Sequence, residues 1–504
     1  GAPSRCCYGI KGTTVNVAAR LMQQARPGTV LLSGGFGAGT VRRFEIRPLP
    51  PLFLKGFAAP VPASELLGPR EQRAVHLPEP QYTVPIVGRR AELRRVLAAI
   101  RQAAGGHGQV LGLCGEPGMG KSRLLAETIQ LATATGFETL VGAVDSFGAS
   151  VPYLAWRPLW RRFFALEGNA PAEEQVGATE RFLREVDHAL PAQLPLLGPL
   201  LGLQIPDNET TGPIPAPARK KLVAEILRHC LAERAARQPF LLALEDCHWF
   251  DSVSLELLAD LRAQLADLPV LLVATYRPPE LGEPHVLGRE FAGSRDEIGL
   301  GPFGEDDAAE LIHLKLGELF GLAAEAPDEL VRRVSERAQG NPFYLEELLN
   351  HLSDLGVDPN DTLELERLEL PTTLHSLILD RLDRLAADEQ LVLKAAAVAG
   401  RRFRSDWLQG AYPDLGPEER LRSTLGVLAR FDLVAPDAAG PEGTYLFKHV
   451  ATWEAAYQSL SFGTRETWHE AFASYLEREL AASAPVELLA QHYGLSGNRA
   501  KELR

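Results

Sequence analysis

The sequence predicts a multidomain α/β protein. Three observations carry that reading. Apolar strands alternate with helical segments over residues 85–300, a pattern that implies a parallel sheet covered on both faces. After about residue 300 the apolar spacing becomes helical almost throughout. Residues 1–68 mix strand-like and helix-like pieces ahead of a polar, proline-bearing stretch at 69–84, PREQRAVHLPEPQYTV, which reads as a linker.

Taken in order, residues 15–25 suit a helix. Thr29–Ser33 suits a strand bounded by Pro27-Gly28 and Gly34-Gly35. A helix is expected over 90–104, then the short apolar strand Val110–Cys114, a glycine-rich turn, and a helix from about 121. Thr139–Val144, Phe240–Leu244 and Val270–Thr275 are further candidate strands. Residues 168–218 carry LPAQLPLLGPLLG and GPIPAPA. Those proline interruptions predict a helical insertion with loops and no strand. Helices are expected at 305–317, 326–338, 343–354, 371–385 and 387–399. One strand-like piece, Tyr445–Lys448, lies between helices, and helices with a small hairpin suit a winged-helix element.

A chain of 504 residues is long enough for about three or four domains. Its 45% hydrophobic and 23% charged content is that of an ordinary folded protein. The net charge of −13 disfavours broad binding to nucleic acid or anionic membrane, which needs clustered Lys and Arg. No apolar run approaches the ~18 residues of a membrane span, and no signal peptide is evident. The five cysteines, Cys6, Cys7, Cys114, Cys230 and Cys247, match no metal spacing. They fit incidental or buried thiols in a reducing cytoplasm, where we expect the protein. The chain starts at Gly1, inside a motif discussed below, and reads as a fragment.

The strongest chemical signal is Gly115-Glu-Pro-Gly-Met-Gly-Lys-Ser122, which fits G-x-x-x-x-G-K-S/T. Gly115, Gly118 and Gly120 can adopt backbone angles denied to other residues, so successive N–H groups can turn inward around phosphate oxygens. Lys121 supplies a point charge for the β- and γ-phosphates, and the Ser122 hydroxyl a ligand for Mg²⁺. The helix beginning at 121 adds its positive end, and Arg123 in its first turn is counted with the nucleotide-binding residues. The expected ligands are ATP or ADP with Mg²⁺. A second element follows from Phe240-Leu-Leu-Ala-Leu-Glu-Asp246, an apolar strand ending in two carboxylates. One would hold the metal and the other would polarise the attacking water. Position suggests Glu245 for the metal and Asp246 for the water, or the reverse. Arg277, just beyond Val270–Thr275, is placed either to sense the γ-phosphate or simply on the surface.

These pieces form an ordered set. IVGRRAEL (86–93), GEPGMGKSRL (115–124), LLALEDCHWFDSVSLELL (241–258), VATYRP (273–278), GNPFYLEELL (340–349) and YLFKHVATWEAAYQSL (445–460) together resemble the STAND subclass of AAA-like P-loop ATPases. The resemblance spans roughly residues 85–480. It implies a P-loop domain at 85–300, a helical lid at 301–385, a winged-helix-like domain at 386–482 and the start of helical repeats at 483–504, where LLAQHY (488–493) falls. It also implies a switch that ADP holds closed and that ATP opens with a partner. In that scheme Val87 and Arg89 border the nucleotide, and Pro342 packs near the base. His449 either touches the β-phosphate of ADP or is simply packed among helices.

Residues 8–67 resemble class III nucleotidyl cyclases, through YGIKGTTVNVAARLMQQARPGTVLLS and FLKGFAAPVPASELLG. The resemblance implies that Asn16 and Arg20 stabilise a cyclising transition state, and their i, i+4 spacing shares one helix face. Lys55 would bind triphosphate. Gly9 stands where that family has a base-selecting Asp or Thr, which leaves ATP against GTP open. The part of the domain carrying the metal-binding Asp pair is missing, so these residues are not expected to cyclise a nucleotide alone. Complete sites of this kind need a second cyclase domain. The combination resembles bacterial signalling proteins of the soluble-adenylyl-cyclase type. The expected function is an ATPase module, hydrolysing slowly, that regulates an attached cyclase in response to an unidentified ligand or protein. The alternative is a nucleotide-switched scaffold or transcriptional regulator with a degenerate cyclase remnant. Neither membrane nor nucleic acid is an expected partner of this stretch.

Overall fold

The computed structural model describes residues 17, 20–22, 25, 29–33, 44–52, 61–69, 85–143, 151–166, 170–278, 296–320, 327–361, 368, 370–437, 441–480 and 486–498. The chain divides into two units, Gly1–Val75 and His76–Arg504.

In the first unit, β1 (Val30–Ser33), β2 (Phe44–Leu52) and β3 (Val61–Pro69) form an antiparallel sheet of order β1-β3-β2. Val17 and Leu21, one helical turn apart, pack with Leu31, Leu52, Val61 and Ala63. The expected helix and first strand are therefore both represented. Strands β2 and β3 escaped the sequence reading because FEIRPLPPL and VPASELLGP carry prolines. The sheet accepts those of β2 because it is an edge strand whose register shift between Leu49 and Leu52 absorbs Pro50-Pro51, while in central β3 Pro62 falls at that same shift and Pro69 is the last residue. Pro69, expected as the first linker residue, ends β3.

The second unit is built on a five-stranded, all-parallel sheet. Its strands are β4 (Gln109–Gly115), β5 (Glu138–Ala143), β6 (Phe240–Glu245), β7 (Val270–Tyr276) and β8 (Glu297–Leu300), in the order β5-β6-β7-β4-β8. Every residue of β6 and β7 is buried, as unbroken apolar runs with helices on both faces should be. Edge strand β8 was not anticipated; four residues of EIGL give too short a pattern. Helix α1 (Arg90–Ala104) matches its expected bounds and buries Val96, Ala99, Ile100 and Ala103, an i, i+3, i+4, i+7 stripe. Helix α2 (Lys121–Ala134) follows the glycine-rich turn. Between β5 and β6 the insertion is helical as expected, with Arg157–Phe163, Ala172–Val186 and Ala216–Ala235 around a 3₁₀ stretch at Leu190–Leu197. Trp156 and Trp160 stack in its core, and the Trp156 indole donates to the Ser254 carbonyl at 3.1 Å, which fastens the insertion to the domain.

Beyond the sheet, α3 (Glu305–Phe320), α4 (Asp328–Ala338) and α5 (Pro342–Asp354) share one leucine-rich core. A further core gathers α6 (Leu374–Asp383), α7 (Ala387–Ala399), α8 (Val450–Gln458), α9 (Phe462–Leu480) and a small antiparallel sheet. That sheet has β9 (Arg402–Arg404) and β10 (Val434–Pro436) on either side of β11 (Thr444–Phe447). Arg381 of α6 is buried against Glu347 of α5 at 2.6 Å and also donates to Asp354 and to the Phe431 carbonyl, so one guanidinium ties the two cores together. Among the described residues no helix is long and apolar enough to cross a membrane.

The last described helix, α10 (Val486–Leu495), docks on α9 through a buried pair of imidazoles, His469 Nδ1 and His492 Nδ1, 2.8 Å apart. One proton between two nitrogens keeps the rings from both being charged. Burial holds both below the ordinary imidazole range, His469 at about 4. At these two rings the unfolded chain thus binds more protons than the folded one between about pH 4 and ~6.5, and their contribution to stability falls as pH drops through that window. Denaturant midpoints at pH 7 and pH 5 should differ, by at most ~1.4 kcal/mol per unit of pH for each ring. His492→Leu should flatten the dependence; an unchanged pH slope would show that this pair does not set it.

Candidate functional site

The glycine-rich turn joins β4 to α2 at the carboxyl edge of the parallel sheet, where open α/β sheets place their ligands. Gly118 and Gly120 both have positive φ, +83° and +85°. At Gly118 a Cβ would also lie 2.5 Å from Asn341 Oδ1. Gly115 corrects the sequence reading, because its φ is not in the left-handed region. It is needed for space: a Cβ there would meet the Leu300 carbonyl of β8 at 3.0 Å. Helix α2 begins at Lys121 with no side-chain cap and no acidic residue in its first turn, so its positive end faces the turn uncompensated. The Lys121 ammonium folds back to donate to the carbonyls of Gly115 (2.7 Å) and Glu116 (3.1 Å). Burial lowers its pKa, partly offset by the Asp246 carboxylate.

The acid pair ends β6, one strand removed from β4 with β7 between. Glu245 is fully buried. Asp246 has φ +54°, which turns its side chain off the strand direction, and its backbone N–H donates to Thr275 Oγ1 of β7 at 2.9 Å. Burial raises the Asp246 pKa, opposed by Arg401, Lys121 and Arg277. His248, 4.0 Å from Asp246, is driven to about 3 by burial and by the nearby cations Arg277 and Lys121, and is neutral.

A cavity of about 180 Å³ opens over the turn. Of the residues singled out by sequence, Val87, Arg89, Gly118, Gly120, Lys121, Ser122, Arg123, Asp246, Arg277, Pro342 and His449 all line it. Gly115 and Glu245 lie beneath it at the strand ends. Arg20 is a half-buried helical residue of the other unit. Asn16 and Lys55 lie outside the described residues.

Position and role separate for several of these. Arg89 lines the cavity, yet its Nη2 donates to the carbonyls of Met119 (3.1 Å) and Gly301 (2.6 Å), and its guanidinium lies 4.8 Å over the Phe303 ring. Through these contacts it also braces the turn. Arg277 lies 3.5 Å from Glu454 of α8 and over the Trp249 ring, so it bridges the sheet edge to the C-terminal helices. His449 caps α8, lines the cavity and packs on Phe343 with ring centroids 4.1 Å apart. Burial and four surrounding cations hold it neutral.

Three contributors were missed. Asn341 caps α5 by accepting from the Tyr344 N–H at 3.2 Å, while its Nδ2 donates to the Pro117 carbonyl at 3.1 Å. Phe343 N–H donates to the Gly118 carbonyl at 3.3 Å. The start of α5 thus grips the phosphate turn. Asn-Pro is a visible helix start, but what the cap grips is not encoded locally. Thr275 and Arg401 are the other two; neither carries a motif.

The Ser122 hydroxyl together with a carboxylate oxygen is the hard-oxygen donor set that suits Mg²⁺ completed by phosphate and water. The residues therefore fit the metal that the turn implies.

The family match agrees with this geometry. Residues 85–273 match the AAA ATPase domain, and residues 304–355 match a domain of unknown function, DUF8739. The second unit accordingly contains a parallel-sheet P-loop NTPase domain of the AAA type followed by helical regions. An uncharacterized protein of Rhizobium meliloti is 27% identical over 97% of this chain and 46% of its own length. Adenylate cyclase type 10 of Rattus norvegicus is 21% identical over 91% of this chain and 31% of its own. The chain thus spans less than half the length of these curated relatives. Among solved structures, a signal transduction ATPase with numerous domains and a tetratricopeptide repeat sensor from Pyrococcus horikoshii aligns with 83% of this chain and 49% of its own, at 12% identity and a TM-score of 0.45.

Asn341→Ala removes a helix cap and the clamp on Pro117 together, and should cost ~1–2 kcal/mol. A lower thermal midpoint and several-fold weaker nucleotide binding are the expected readings; unaltered binding would mean the clamp does not shape the turn.

Proposed function

We propose that this chain is a STAND-type ATP switch whose P-loop module controls an attached class III nucleotide cyclase. The observation that carries it is the cavity itself. Lys121, Ser122 and Asp246 of the P-loop domain share it with Pro342 of the helical lid and with His449 and Glu454 of the C-terminal region. A nucleotide bound there touches all three parts, so its phosphate count can decide how they pack.

In this reading residues 301–385 form the lid and residues 386–482 a winged-helix-like domain, with helical repeats beginning after 483. Lys121 leaves the Gly115 and Glu116 carbonyls for the phosphates, and the N–H groups of the turn and the first turn of α2 hold the remaining oxygens. Bound Mg²⁺ supplies neutralisation of phosphate charge, held by Ser122 and one carboxylate of the pair. The second carboxylate accepts a proton from water, and its desolvation makes it a stronger base than an exposed one. Arg277 and His449 face the phosphates from the far side. Because both are committed, to Glu454 and to Phe343, the closed arrangement favours a nucleotide held in place over rapid turnover.

The cyclase assignment rests on VNVAAR at 15–20 and on the similarity to adenylate cyclase type 10 across most of the chain. Asn16, Arg20 and Lys55 would then serve a site completed by a second cyclase domain. Cytoplasmic location and an activating ligand or protein sensed through further repeats belong to the same proposal.

Freshly purified protein should carry ADP, identified by chromatography after denaturation, and Lys121→Ala should lack it. Equal nucleotide content in both would sink the proposal. Glu245→Gln and Asp246→Asn should separate the acid roles. Each is expected to lower steady-state ATP hydrolysis by about 10²-fold or more, but only the metal ligand's variant should lose the Mg²⁺ dependence of ATP binding. Turnover unchanged in both would remove the acid pair from the chemistry.

A further inference from the structure

Helix α7 ends at Gly400, and the next residue, Arg401, is held by its carbonyl, which accepts from the Phe447 N–H at 2.9 Å. That bond fixes Arg401 against the strand that leads directly to Lys448 and His449. Its side chain, one-tenth exposed, reaches the end of β6. A single nitrogen, Nη1, lies 4.0 Å from Glu245 Oε2 and 3.9 Å from Asp246 Oδ2. Two adjacent carboxylates in a buried site need a cation to remain charged.

Among the described residues, the other positive groups near the pair also have partners of their own. The Lys121 ammonium donates to two carbonyls of its own loop, Arg277 pairs with Glu454, and His248 is neutral. We infer that Arg401 is the built-in counter-cation of the acid pair, and that it and Mg²⁺ compete for the same carboxylates. This inference rests on the nucleotide-switch reading and adds the coupling to it. When the metal arrives with a triphosphate, the pair cannot hold both cations in one place, so Arg401 must leave. Its departure loosens the contact between the C-terminal region and the sheet edge. When no metal is present, Arg401 offsets the repulsion between the acid pair and a diphosphate, so ADP stays bound without Mg²⁺. Arginine suits the role, since it stays protonated when buried and can bridge two oxygens.

Fluorescently labelled ADP, titrated into the full chain in EDTA and again in Mg²⁺, tests this. Wild type should bind with similar affinity in both, within about threefold. Arg401→Gln should bind roughly tenfold or more weakly in EDTA and recover in Mg²⁺. The double variant R401Q/E245Q, with one charge removed from each side, should regain metal-free binding, which a merely structural role for Arg401 would not produce. Arg401→Lys keeps a cation and should stay near wild type; it serves as the reporter if Gln prevents folding, and strong metal dependence in it overturns the inference. R401Q that holds ADP in EDTA as tightly as wild type overturns it as well. Failure of wild type to bind ADP in either buffer, with Lys121→Ala no different, would instead remove the nucleotide reading beneath it.

Discussion

Two carboxylates buried side by side at the end of β6 are the constraint on which the rest of this site turns. Ionised carboxylates in a dry setting are costly unless cations or donors surround them. The chain answers from four directions. Thr275 receives the Asp246 N–H from β7 and fixes its unusual backbone angle. Lys121 approaches from the phosphate turn, Arg277 from the end of β7, and Arg401 from the C-terminal region. Each of these cations belongs to a different element, so the charge of the acid pair holds together pieces of chain more than a hundred residues apart.

The same logic governs the rim. Arg89 spends its donors on Met119 and Gly301, and Asn341 spends its amide on Pro117. The phosphate turn is therefore clamped from the side of α1 and from the side of α5. Hydrogen bonds of this kind make the loop a preformed cradle, which lowers the ordering cost of binding phosphate. The clamps also make the helical lid part of the site. Along the far wall Lys315 of α3 lies 2.9 Å from Glu318 and 4.0 Å from Asp432, which also pairs with Lys448, so this run of charges joins the lid to the C-terminal core. A ligand that alters one wall alters the packing of the others.

The legible part of this molecule was the part with period and spacing. The strands β4 to β7 and helix α1 follow from apolar runs and a 3.6-residue stripe, and the phosphate turn from its glycine and lysine spacing. Where sequence reading failed, a local signal was contradicted by a tertiary allowance. Prolines in FEIRPLPPL argue against a strand, yet an edge position with a register shift accepts them. Gly115 looked like a conformational glycine and is a steric one, because β8 passes beside it. Arg89, expected to border the nucleotide, lines the cavity and also braces the turn through two carbonyls, a second use that no motif records.

By itself the sequence determined the P-loop, the acidic strand end, the alternation that makes a parallel sheet, and the mainly helical character of the chain after residue 300. These are properties of neighbouring residues, set by backbone sterics, side-chain period and the chemistry of a short motif. Only the tertiary structure decided that Asp246 faces the cavity while Glu245 lies beneath it. It alone decided that Asn341 grips the turn, that Arg277 spans to Glu454, and that Arg401 meets the acid pair. Those facts depend on which elements pack together across long separations, and no local pattern of residues records the partner that a buried charge will find.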